Sequence, residues 1–294
     1  MELADLLRQL PRGRITSCGA IARALGDVTA ARAVWERVTR NERLPRREAL
    51  VTESGVFVVS GRRHRDELWE GFEGPRPLQE LRQRQEDARR WLRPSVPGPV
   101  RTVGAVDVAY SEDHGFAAAV VMDADGRVEI ECVTAAVAVD FPYIPGYLTE
   151  RELPAIRAAY RRLRTPPDVL LVDGQGILHP AGFGLACAVG VALDVPTIGV
   201  AKSRLTGDAR PLKMKGDLDG IHRGGEQLGW VYASESVDHP LYLSPGDRMD
   251  LESCARIIPP LCRTRLPEPM RRADAESKKR KKMKRERVKK TRRN

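Results

Sequence analysis

Asp107 interrupts an otherwise apolar run, RTVGAVDVAY. Strand alternation places it on one face with Val103, Ala105 and Ala109. A carboxylate buried there is costly unless it is paired or bound to a metal. Asp173 ends a second apolar run, DVLLVDG, and is followed at once by Gly174. Ligands of open α/β sheets gather at the carboxyl ends of strands, so neighbouring strands would bring both carboxylates to one spot. Two carboxylates and little else suit Mg²⁺, which prefers oxygen ligands and retains water. Such an ion activates water and stabilises charge on a scissile phosphate. The structural alternative pairs one aspartate with Lys202 or an arginine and leaves the other to cap a loop. Lys202, just after the strand-like VPTIGVA, meets either a phosphate or an aspartate.

Glu152 also has two readings. Thr149-Glu150-Arg151-Glu152 fits a capping box, but Pro154 would then fall at the fifth helical position, where its ring and missing amide disturb the first regular hydrogen bonds. A helix starting near Leu153–Pro154 leaves Glu152 just outside, free to project into a cleft. Pro142-Tyr143-Ile144-Pro145-Gly146 is a stiff aromatic loop, because two prolines fix φ. A rigid wedge can part a base step and stabilise an extruded nucleotide; the alternative is an ordinary buried loop. Gly174-Gln175-Gly176 after a strand invites a dinucleotide-binding reading, but position 179 is His where a third glycine is needed. His179 is an active-site imidazole or a core histidine. The chain has no GxxxxGK[ST] and no GxSxG.

These residues need elements to hold them. RTVGAVDVAY, GFAAAVVM and RVEIECVTAAVAV read as three strands, with a DADG turn at 123–126 between the last two. A helix after Pro154, the strand DVLLVDG, the apolar helix FGLACAVGVAL and the strand VPTIGVA follow. An antiparallel meander followed by alternating helices and strands implies a mixed sheet with helices on both faces, the order of a ribonuclease H-like fold. Upstream, LQELRQRQEDARRWL reads as a helix between two proline-rich breaks. Residues 1–74 have arginines and no lysine. Ser17 can cap a helix over CGAIARAL and Thr29 a helix over TAARAVWERVTR, whose buried stripe is Ala30, Val34 and Val38. EALVT-ESG-VFVV reads as a hairpin turning at Gly55. Helix-turn-helix plus hairpin is a winged-helix arrangement that can offer arginines to a DNA groove, or a small helical domain with a solvated charged face.

Composition narrows the class. The chain has 294 residues, 41% of them hydrophobic, and no apolar run near the ~18 residues of a membrane span. The start, MELADLLRQL, lacks a basic segment leading into an apolar one, so a secretory signal is not expected. The five cysteines form no CxxC, which fits a reducing compartment and argues against disulfides or zinc. The net charge is +10, yet residues 271–294 alone hold 14 Lys/Arg and 3 Asp/Glu, leaving 36 basic and 37 acidic residues elsewhere. The basicity is a tail, suited to polyphosphate through counterion release or simply solubilising.

GAVDVAY, FPYIPGYLTERE, LLVDGQGILHPAGFGLACAVGVALDVPTIGVAKSRLTG and RLPEPMRRAD together resemble the endonuclease V family, in its order and spacing, across residues 78–275. The resemblance implies a ribonuclease H-like fold and an enzyme that uses Mg²⁺, or Mn²⁺ in its place, to nick a strand 3′ to a deaminated base, above all hypoxanthine. It makes Asp107 and Asp173 metal ligands, Glu152 the third acidic member, and Lys202 a neighbour of the scissile phosphate. Tyr143 becomes the wedge, carried with Pro142, Ile144 and Pro145 against DNA; Gly146, Leu148 and Gly174 line a base pocket. Gln175, Asp247 and Asp274 depart from the family pattern, which often has His near each position. LPRGRITSCGAIARALGDVTAARAV resembles the DNA-binding part of the O6-alkylguanine-DNA alkyltransferases, with Arg32 at the position that enters the duplex. Cys18 replaces that family's aromatic residue, and LPRREALVTESG lacks the Cys and His of its active-site motif, so alkyl transfer is not expected.

The expectation is therefore an α/β nuclease. A winged-helix domain spans 1–74, a ribonuclease H-like nuclease domain 75–275 and a disordered basic tail 276–294. It would be a monomer in the cytoplasm, or at the nucleoid of a prokaryote, with nucleic acid and no membrane as its partner. The alternatives are an inosine-specific ribonuclease and a non-catalytic damaged-DNA sensor.

Overall fold

The computed structural model describes residues 3–52, 54–61, 68–111 and 113–291, with the side chains of 285 and 287–291 left out. They form two compact units, Met1–Arg84 with Pro142–Tyr147, and Gln85–Phe141 with Leu148–Asn294.

The first unit opens with α1 (Leu3–Gln9), a two-residue β1 (Thr16–Ser17) and α2 (Cys18–Ala24). Ser17 caps α2, accepting from Ala20 N at 2.9 Å, as its sequence position suggests. Asp27 caps the next turn, a 3₁₀ segment Val28–Ala30 that runs into α3 (Ala31–Arg40). On α3, Ala33, Val34 and Val38 are buried, while Arg32, Trp35, Arg37 and Arg40 face solvent. The expected hairpin is much reduced. β2 (Leu50–Val51) pairs in parallel with β1, and across the turn Val51 bridges Phe57 while Thr52 N bonds the Val56 carbonyl and Val58 N the Leu50 carbonyl, both at 2.8 Å. Glu53 in that turn lies outside the described residues. α4 (Pro77–Ala88) follows and continues as a 3₁₀ turn to Trp91.

The second unit is built on an eight-stranded sheet. Its strands are β3 (Thr102–Tyr110), β4 (His114–Asp123), β5 (Glu129–Ala138), β6 (Val169–Val172), β7 (Thr197–Ala201), β8 (Leu218–Arg223), β9 (Glu226–Tyr232) and β10 (Leu241–Pro245). They lie in the order β5-β4-β3-β6-β7-β10-β9-β8. β3, β4 and β5 are the antiparallel meander, and β3, β6 and β7 run parallel. β6 and β7 are buried on both faces, which is why they read as unbroken apolar runs instead of alternating ones.

Helices cover both faces. α5 (Leu148–Tyr160) and α6 (Leu185–Leu193) pack Ala155, Ile156, Leu185 and Val189 on Val106, Leu170 and Val172. α7 (Leu251–Leu261) and α8 (Glu268–Thr291) pack Cys254, Ile258, Met270 and Ala273 on Val103, Ala105 and Leu171. α8 corrects the expectation of a disordered end, because the segment from 276 is helical to Thr291. Its lysines, arginines and glutamates are good helix formers. Met270, Ala273 and Ser277 anchor its first turns in the interior, and Arg272–Glu276 and Asp274–Lys278 pair one turn apart. No described helix is long and apolar enough to cross a membrane.

Candidate active site

Three neighbouring parallel strands bring three charged residues together: Asp107 lies within β3, Asp173 just past the end of β6 and Lys202 just past the end of β7. Val106 pairs with Val172 and Val172 with Gly199, so Asp107 and Asp173 follow side by side and Lys202 comes just past the end of β7. Lys202 Nζ makes an ion pair with Asp173 Oδ2. Asp107 shares the sheet face of Val103 and Ala105, the face covered by α8. There Ser277 donates its hydroxyl to Asp107 Oδ2 at 2.5 Å. Asp274, one turn earlier on α8, binds Lys278 Nζ at 2.7 Å and adds its charge to the surroundings of Asp107.

Glu152 reaches the same group from α5. The helix starts at Leu148, not at Leu153, so Glu152 lies within it and Thr149 is not its N-cap. Pro154 is tolerated inside because it is exposed and near the first turns, where the lost bond would go to the Glu150 carbonyl. Tyr110, three residues after Asp107 on β3, lies beside Glu152; burial and then the Glu152 charge push its hydroxyl up, and that hydroxyl is 3.5 Å from the Arg151 carbonyl. The Arg151 guanidinium sits 4.1 Å over the Tyr110 ring.

The electrostatics show one cluster. Burial, then the charges of Asp173 and Asp107, push Glu152 up to about 8, against the Tyr110 hydroxyl and Arg151. Burial also raises Asp107, as do Asp173 and Asp274, while the Ser277 bond and Lys202 oppose the rise. Burial would lower Lys202, but Asp173, Asp107 and Asp274 hold it above its ordinary value. Among the described residues no three Asp, Glu, His or Cys side chains stand in metal-ligand geometry. The donor set nevertheless suits a hard divalent cation. It consists of carboxylate oxygens facing Lys202, and burial and mutual repulsion hold the Asp107 and Glu152 carboxyls above their ordinary values, a strain a cation would relieve.

The remaining expected residues are placed as follows. Tyr143 is 58% exposed, and Pro142 and Pro145 are exposed. Ile144 is buried, so it anchors the loop and its side chain is withdrawn from any surface contact. Arg32 is exposed and paired with Glu36 at 3.2 Å. Gly146 has φ +86° and is half-buried, Leu148 packs against the α5–α6 core, and Gly174 is buried against Leu185. His179 is buried, and its Nδ1 accepts from Ala181 N at 3.2 Å across a turn.

The glycines of Gly174-Gln175-Gly176 serve packing, not dinucleotide binding. A Cβ on Gly176 would lie 1.9 Å from the Pro245 carbonyl, and one on Gly199 2.5 Å from Gly176 N. Gln175 donates to Ser203 O at 2.7 Å, tying the loop after Asp173 to the loop after Lys202. Asp247 is fully buried. It accepts from Arg93 N at 2.8 Å and from the Arg93 guanidinium, so its role is to fix the chain entering β3.

Sequence reasoning missed Tyr110 and Ser277. Tyr110 left a weak signal as a polar aromatic ending the Asp107 strand; Ser277 left none beyond its place one turn after Asp274.

Comparison with known proteins places the chain in a family. A family model described as Endonuclease V matches residues 83–275. An endonuclease V of Roseiflexus sp. (strain RS-1) is 39% identical over 211 residues, covering 70% of this chain and 95% of that protein. The crystal structure of endonuclease V from Streptomyces avermitilis is 36% identical with a TM-score of 0.64, over 70% of this chain and 93% of that one. The Ciona intestinalis endonuclease V, solved with DNA containing an inosine followed by a ribo-adenosine, is 25% identical with a TM-score of 0.63, over 71% of this chain and 99% of that one. The family match over residues 83–275 and these relatives lead to one conclusion: this chain belongs to the endonuclease V family.

Proposed function

We propose that the protein is a DNA repair endonuclease that nicks a strand 3′ to a deaminated base, above all hypoxanthine. The observation that carries this reading is the charge cluster of Asp107 on β3, Glu152 on α5 and Asp173 after β6, beside Lys202 after β7. The strand order from β5 to β7 supports a ribonuclease H-like core.

Asp107, Asp173 and Glu152 would hold Mg²⁺, or Mn²⁺. When bound, the cation supplies Lewis acidity toward the phosphate and a more acidic water. The chain's own residues do the rest. Lys202 Nζ neutralises charge developing on the phosphate oxygens. Ser277 fixes the rotamer of Asp107, and Tyr110 beside Glu152 favours its charged form. Tyr143, exposed on its proline-bounded loop, fills the space left by an extruded base. Gly146, Leu148 and Gly174 would border the base, and α3 would offer Arg32 to the duplex as a winged-helix module of residues 1–74, with residues 75–275 as the nuclease domain. The protein would act as a cytoplasmic monomer, with the basic segment 276–294 on the phosphate backbone.

The test gives purified protein and Mg²⁺ matched DNA and RNA strands carrying one hypoxanthine, beside Asp173→Ala. Nicking of DNA that disappears in the variant is expected. Preferential cutting of RNA would reassign the substrate. Lesion binding without cutting would make the protein a sensor.

A further inference from the structure

The loop that carries Tyr143 belongs to the same compact unit as the N-terminal residues, and one buried hydrogen-bond network explains why. Tyr147 closes the loop, with its N–H bonded to the Ile144 carbonyl at 3.0 Å, and its ring is fully buried. Its hydroxyl donates to Asp27 Oδ2 at 2.7 Å and lies 3.1 Å from the Leu78 carbonyl.

Asp27 is itself buried and fully engaged. Oδ1 accepts from Thr29 N at 2.9 Å and Thr29 Oγ1 at 2.8 Å, which caps the turn leading into α3. Oδ2 also takes an ion pair from Arg82 of α4, whose guanidinium lies 5.8 Å over the Tyr147 ring. Burial pushes the Asp27 carboxyl up, but the bonds from Tyr147 and Thr29 and the charge of Arg82 hold it below its ordinary value. One carboxylate thus joins the Tyr143 loop, the start of α3 and α4. Buried, fully satisfied networks of this kind select a single arrangement of the elements they join.

α3 also carries exposed basic side chains. Arg32, Arg37 and Arg40 are exposed on it together with Trp35, and Glu36 is the single acidic residue of the helix. Exposed arginines of a helix bind phosphate, and an exposed indole stacks on bases or sugars.

We infer that Asp27 and Tyr147 are positioning residues that lock the Tyr143 loop to the capped turn leading into α3, so that the wedge and the exposed arginines of α3 engage the nucleic acid as one element. The N-terminal unit is then part of the lesion grip, not a separate tether. This rests on the reading of Tyr143 as a wedge.

The test compares the full chain with Tyr147→Phe, Asp27→Asn and Tyr143→Ala. Tyr147→Phe keeps the buried ring and Asp27→Asn keeps the shape, so a melt by circular dichroism should still show a folded protein for at least one of them. Hydrogen exchange at the 143–147 amides reads the lock without DNA or activity. A hydrogen bond to a charged group is lost in each, and exchange there should speed up by about tenfold or more. On a duplex carrying one hypoxanthine, both variants should raise KM about as much as Tyr143→Ala while leaving kcat within about twofold. Tyr147→Phe added to Tyr143→Ala should cost nothing further, because loop position has no value without the wedge.

Unchanged exchange would overturn the lock. Faster exchange with unchanged KM, where Tyr143→Ala does raise KM, would show that the lock is irrelevant to binding and also overturn the inference. A Tyr143→Ala protein as good as the parent would instead remove the wedge reading itself, and the inference with it.

Discussion

Ser277 Oγ lies 2.5 Å from Asp107 Oδ2, tying the basic C-terminal helix to the strand that carries the central carboxylate. The bond crosses 170 residues of sequence. It means that α8 is not an appendage to the nuclease unit: its first turns close one side of the charge cluster, with Asp274 on the turn before. Ser277→Ala removes a hydrogen bond to a charged group and little volume. Such bonds contribute about 1.5–3 kcal/mol. Single-turnover nicking of hypoxanthine DNA at saturating Mg²⁺ should slow by roughly tenfold or more, with DNA affinity unchanged. A variant as fast as the parent would mean that Asp107 is oriented without Ser277.

The strands and their two aspartates were legible because burial leaves a direct imprint on composition. Asp107 stands out inside the apolar run of β3, and Asp173 directly follows β6, which is covered on both faces and reads as an unbroken apolar run. Ser277 was not legible, because α8 is recognisable as ordered only through Met270 and Ala273, which find their partners on distant strands. The start of α5 was misplaced by giving Pro154 the authority to begin a helix. An exposed proline near the first turns loses a single bond and can be accommodated. The Asp27–Tyr147 bond joins residues 120 apart, and neither has a periodicity that announces the other.

Glu152 makes the stability of the protein stripped of divalent ions fall with rising pH. Its carboxyl is raised to about 8 in the fold, against about 4.3 in an unfolded chain. A raised acid favours the fold while protonated. Its contribution is therefore fully present below about pH 4.3 and is lost as pH climbs through about 8. Asp107, also raised, adds in the same direction. In EDTA, Tm should drop between pH 6 and pH 9, and Glu152→Gln should drop less. Mg²⁺ at pH 9 should restore more of the parent's Tm than the variant's. Parallel curves for the two proteins would contradict the burial of this group.

Gly176 tests whether the Gly-Gln-Gly turn is a packing device. A methyl group there would sit 1.9 Å from the Pro245 carbonyl, which belongs to β10 and has no freedom to retreat. Gly176→Ala should destabilise the protein by about 1–3 kcal/mol or more, and displace the loop that follows Asp173. Urea unfolding gives the first number; loss of nicking out of proportion to the fraction unfolded gives the second. Wild-type stability in the variant would mean that the turn is open enough to take a ligand.

The basic end of α8 should contribute salt-sensitive affinity that does not depend on the lesion. Residues 281–294 hold nine lysines and arginines and one glutamate, and each phosphate they neutralise adds about 0.9 to the slope of log affinity against log salt. The truncation must spare Ser277 and Asp274, because a cut at 276 would remove the Asp107 bond together with the charge and confuse the two effects. A chain ending at 280 should therefore bind hypoxanthine and undamaged duplexes more weakly by the same factor. Its salt slope should be shallower by one to several units, with nicking by bound enzyme preserved. An unchanged slope would mean that these cations do not touch phosphate, and their role would then be limited to solubility. A slope that flattens for damaged DNA alone would place the tail at the lesion instead of along the backbone.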